Sequence, residues 1–90
     1  MPQPQLRKKL EQLQHELASA QPGDPDAQAR IEEVRRDVQG AIEQGAEVPV
    51  DHKQSLLERL RNAIPYFEST HPRVTMAMAE VADELTRMSL

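Results

Sequence analysis

Three histidines, two adjacent acid pairs and a set of arginines are the residues of this chain that could do chemistry. His15 has Glu11 one helical turn before it and Glu16 beside it. Two of these side chains could hold a divalent metal, but a stable site needs three or four ligands. The pattern therefore reads as an exposed helix face with no metal. His71 stands between Thr70 and Pro72, where a helix start needs a capping partner or a packed turn. His52 follows Asp51, and no Ser is placed for any of the three histidines to activate. Glu32-Glu33 and Asp83-Glu84 are paired carboxylates. General acid–base work needs two carboxyls facing each other across a substrate. Neighbours on one helix point about 100° apart, so both pairs read as solvated faces. The three glycines are isolated, and no phosphate-cradling GxxxxGK[ST] occurs. The sequence thus predicts no enzyme, no catalytic residue and no cofactor.

Binding chemistry is sparse too. Arg30, Arg35 and Arg36 with Gln28 and Gln39 could touch base edges, but Glu32, Glu33 and Asp37 are interleaved with them and would repel phosphates. The pattern is that of a salt-bridged surface, and it argues against nucleic acid as a partner. The whole chain carries 15 acidic against 11 basic residues, a net charge of −4. Arg7-Lys8-Lys9 is the one basic triplet, too little to dock a membrane without aromatic anchors.

Composition sets the frame for these side chains. Cysteine is absent, so neither disulfides nor thiolate zinc sites are available. Aromatic content is 2%, which excludes stacking platforms for single-stranded nucleic acid. No apolar run has the length of a membrane span, and the charged start does not look like a signal peptide. A 90-residue chain can bury roughly two-thirds of its unfolded surface, which makes for a small core.

Three clusters of breakers, at 21–24, 45–50 and 68–72, divide the chain into four pieces. Each repeats apolar residues at steps of four and three, the helical period. The first carries Leu6, Leu10, Leu13 and Leu17, a narrow stripe like a coiled-coil seam. The second opens with Asp24-Pro25, an N-cap acceptor and a first-turn proline, and carries Ala27, Ile31, Val34, Val38 and Ala41. Glu32 and Arg36 are spaced as an i,i+4 pair, and Gly45 is the expected stop. The third opens with Asp51 and Gln54 in capping-box spacing and carries Leu56, Leu60, Ala63 and Phe67, widened by Leu57 and Ile64. Pro65 interrupts it but lies opposite the Leu56 stripe, so the expectation is a bent helix continuing to about residue 68. The fourth carries Val74, Met78, Val81, Leu85 and Met88, widened by Ala77 and Ala82, with Met76 on the opposite side.

The predicted fold class is all-α, a single domain of four short amphipathic helices over about 4–20, 25–43, 51–68 and 72–89, arranged as antiparallel hairpins or a bundle. The wide third and fourth helices are expected at its centre. A small core without disulfide or metal favours association. The chain is therefore expected to form a homo-oligomer, most simply a twofold dimer, or to meet another protein. The candidate interface is Leu6, Leu10, Leu13, Leu17 and Met76.

Several stretches carry a family resemblance. They are the leucine helix ending in His15-Glu16-Leu17, then Ser55-Leu56-Leu57-Glu58-Arg59-Leu60, then Phe67-Glu68-Ser69-Thr70-His71-Pro72, and finally Val81-Ala82-Asp83-Glu84-Leu85 with Arg87-Met88. Together they resemble a family of short bacterial proteins, domain-of-unknown-function family 4404, over nearly the whole chain. Pro65 and the Ser89-Leu90 ending depart from its pattern. The resemblance implies a bacterial, cytoplasmic protein and transfers no activity and no site residue. The function expected is a non-enzymatic, self-associating helical interaction module; the alternative is a regulatory protein contacting nucleic acid through the second helix.

Overall fold

The computed structural model describes residues 4–20, 23–44 and 50–88. They form four helices and, among the described residues, no strand: α1 Pro4–Ser19, α2 Pro25–Gln44, α3 Val50–Phe67 and α4 Pro72–Met88. The start of α2 follows its local chemistry. Asp24 Oδ2 accepts the Ala27 backbone N–H at 3.3 Å, and Pro25 takes the first helical position, where no N–H is needed. At the start of α3 the capping box expected at Asp51 is corrected. The helix begins at Val50, so Asp51 sits inside the first turn, where its charge complements the positive helix end. The expected stop at Gly45, the side chain of Met88 and the Ser89-Leu90 ending lie outside the described residues.

α3 runs through Pro65 to Phe67. Pro65 is exposed and Phe67 is fully buried, so the missing hydrogen bond falls on the solvent side while the apolar row stays in register. The next three residues turn. The Thr70 and His71 amides both donate to the Phe67 carbonyl, at 3.2 and 2.8 Å, and close the end of α3. His71 then precedes Pro72, the first residue of α4. Its ring meets Phe67 edge-on at 5.6 Å and pairs through Nδ1 with Thr70 Oγ1 at 2.9 Å.

The helices close into a ring in chain order. α1 packs on α2, α2 on α3, α3 on α4, and α4 returns to α1. Joined by short connections, neighbours run antiparallel, an up-and-down four-helix bundle. One continuous core fills its axis, and every stripe contributes to it. Leu13, Val38, Leu60, Phe67, Met78 and Val81 are wholly excluded from solvent. Each such side chain contributes about 1.5–3 kcal/mol relative to an exposed one. Closure of the ring corrects the expectation of a central pair. No two helices are inside the others, and the narrow stripe of α1 is buried as completely as the wide one of α3. α4 does carry the broadest packing, against α1 and α3 alike, whereas the α2·α3 seam is the thinnest of the four.

Candidate functional site and interaction surfaces

The structure separates the five candidate interface residues. Leu6, Leu10, Leu13 and Leu17 lie in the core of the chain itself, each 3% exposed or less. Their partner helices are the chain's own α2 and α4, so the leucine row is not a free seam for a second protein. A stripe of this width suits one partner helix, and the fold supplies two. Met76 stays outside, 67% exposed. It sits on the outward face of α4 among the exposed residues Arg73, Ala79, Glu80, Asp83 and Arg87.

The acid pairs divide in an unexpected way. Asp83 is exposed, but Glu84 is buried, 7% exposed, which corrects its reading as part of a solvated face. Lys9 Nζ on α1 donates to Glu84 Oε1 at 3.1 Å, and Arg87 Nη1 lies 3.6 Å from the same oxygen. A buried carboxylate needs such partners, because its charge is costly to desolvate alone. The signal was available in the spacing: Glu84 is seven residues beyond Ala77, so it occupies the same side of the α4 stripe. The residue type hid it.

Glu32 and Glu33 are both exposed. Glu33 reaches across to α3, where Arg59 Nη1 donates to its Oε2 at 2.9 Å, and Arg59 Nε pairs with Asp37 Oδ2. Arg59 thereby bridges two turns of α2. The i,i+4 pair expected between Glu32 and Arg36 does not close among the described residues, and Glu11 pairs with Arg7 at 3.3 Å rather than with His15. At one end of the α2·α3 seam His52 Nδ1 meets Gln44 Oε1 at 3.2 Å. At the other end the Tyr66 hydroxyl donates to Asp24 Oδ2 at 3.3 Å, and the Arg30 guanidinium lies 4.3 Å above the Tyr66 ring. Partial burial, then the charge and the hydrogen bond of Asp24, push the Tyr66 phenol above its usual value. Between these ties a shallow cleft opens, lined by Asp37, Gly40, Gln44, His52 and Ser55.

His15 is exposed on α1. Among the described residues no three metal-ligating side chains gather. His71 has a packing role against Phe67. On α2, Arg35 and Arg36 are exposed and have no ion-pair partner among the described residues; they line an open polar groove with Gln14, Glu32 and Gln39. No helix among the described residues is long and apolar enough to cross a membrane.

Comparison with known proteins gives one positive result. No curated protein and no solved structure matches the chain. The model of the family described as Domain of unknown function (DUF4404) matches residues 6–90, and the chain belongs to that family.

Proposed function

We propose that this chain is a non-catalytic helical interaction module that self-associates. The observation that carries the reading is Met76. Four apolar stripes are used up inside the bundle, yet a methionine 67% exposed remains on the outward face of α4. Methionine is flexible and polarizable, and an exposed one suits an adaptable protein contact. A small bundle without disulfide or metal also gains stability by association. The module works in the bacterial cytoplasm in this reading, the setting that the family resemblance implies. Light scattering from dilute to concentrated protein tests it. The expected mass rises above that of one 10.2 kDa chain, with thermal stability increasing with concentration. A mass fixed at 10.2 kDa with concentration-independent melting overturns it.

A second reading, contact with nucleic acid through α2, draws on Arg35 and Arg36, which are exposed and have no ion-pair partner among the described residues. Glu32 and Glu33, exposed on the same helix, weigh against it. Binding to a generic DNA duplex should then fall steeply with salt, and no binding at low salt removes this reading.

A further inference from the structure

We propose that two copies of this chain meet along the outward faces of α4, antiparallel, with Met76 of each over Ala79 of the other. The inference rests on the self-association proposed above and adds its surface and register. The inner face of α4 is consumed between α1 and α3. Its outward face carries Pro72, Met76, Ala79 and Asp83, all exposed, at steps of four, three and four. That is the spacing of a helix-pairing seam. Along one side of this row run Arg73, Glu80 and Arg87, each seven residues from the next.

Charge selects the occupant and the register. When Met76 faces Ala79 of the partner subunit, Arg73 comes beside Glu80 of the partner subunit. The twofold axis repeats that ion pair on the other side. Pro72 then falls opposite Asp83 of the partner subunit. Two carboxylates thus approach the positive N-terminal ends of the facing α4 helices. A slide that sets Glu80 against its own copy also sets Arg73 against Arg87, so like charges meet throughout. Within one chain, Arg73 and Glu80 have no ion-pair partner among the described residues, and Asp83 has only the exposed Arg87, 3.9 Å away. The charges are therefore available to a second copy. One helix pair is small for an interface, so the association is weak and concentration-dependent.

Sedimentation equilibrium on the wild-type chain and on Arg73→Glu, Glu80→Arg and the double exchange tests the surface. Circular dichroism melts check that these exposed substitutions leave the bundle folded. The expected wild-type dimer loses about tenfold in affinity with either single change, because both symmetric pairs become repulsive, and the double exchange regains it. A wild type that stays monomeric overturns self-association and this surface together. A wild-type dimer that is indifferent to the single changes, or not rescued by the double, overturns the α4 surface alone. The chain lacks cysteine, which allows a second measurement. Mixed Met76→Cys and Ala79→Cys chains should form a heterodisulfide faster than either forms one with itself. Equal rates count against the register.

Discussion

The α1·α4 and α2·α3 seams lie on different sides of the same bundle and use the same kind of ion pair to opposite effect. In α1·α4 the packing is broad, and its pair, Lys9 with Glu84, has a carboxylate side chain only 9% exposed. In α2·α3 the packing is thin, and Arg59 holds Glu33 with both side chains at least 42% exposed. Solvent decides what each is worth. The exposed pair is screened and costs side-chain entropy to form, while the buried one cannot lose a partner without stranding a charge. The lesson is that an ion pair's value here is set by the apolar packing around it, not by its distance.

The largest effect should come from the packing itself. Leu13→Ala, at a position wholly excluded from solvent between α1 and its neighbours, should cost about 2–5 kcal/mol, read as a lowered denaturant midpoint. A cost near zero would mean the α1 side of the bundle is not the tightly packed one. Next comes the direct contrast of pairs. Lys9→Met leaves Glu84 with Arg87 as its one ion-pair partner among the described residues and should cost about 1–3 kcal/mol. Glu33→Gln, which breaks only the exposed pair with Arg59, should cost less than about 1 kcal/mol. Equal losses in chemical denaturation would break the comparison. Gly40 sharpens it from the other side. It lies in the interior of α2 on the α2·α3 cleft, and a Cβ built there meets nothing within 4 Å. Gly40→Ala should therefore stabilise the protein by about 0.5–1 kcal/mol, the difference in helix propensity.

The smallest effect is confined to alkaline solution. The Tyr66 phenol is raised by partial burial and by Asp24, so the folded chain holds that proton more tightly than the unfolded one. Its contribution is fully present below the unfolded value of about 10 and is lost as pH rises through the higher folded value. Tyr66→Phe should flatten that part of the pH dependence. Tyr66 is the single tyrosine, so phenolate absorbance reports its titration directly. A wild-type and Phe variant with the same alkaline slope would sever Tyr66 from the stability of the α2·α3 seam.

How much of this was legible depends on what each residue type announces. The four helices were, because apolar rows at helical steps have little other use, and Asp24-Pro25 marks a helix start by its own chemistry. Phe67 also showed that α3 must pass Pro65 in register. The ring order was not legible. A stripe states which face is buried but not which helix covers it, so hairpins and bundle stayed open. The same ambiguity misled the reading of Leu6, Leu10, Leu13 and Leu17: a seam for a second chain and a seam for α4 of the same chain look alike in sequence. Glu84 was missed because a glutamate is almost never buried unless paired, and its partner Lys9 lies 75 positions away. Met76 was placed correctly on the outside because it breaks the step pattern of its own helix.

One oxygen, Oδ2 of Asp24, serves two helices at once. It caps the first turn of α2 through the Ala27 amide and receives the hydroxyl of Tyr66 from the end of α3. Loss of the bond at either site should therefore be felt at the other, so the two termini are expected to open as one unit rather than two. In native-state hydrogen exchange the Ala27 amide and the amides of the last turn of α3 should open with a common free energy. Asp24→Asn keeps an acceptor for the cap but weakens the tie to Tyr66, and should let the two exchange rates drift apart.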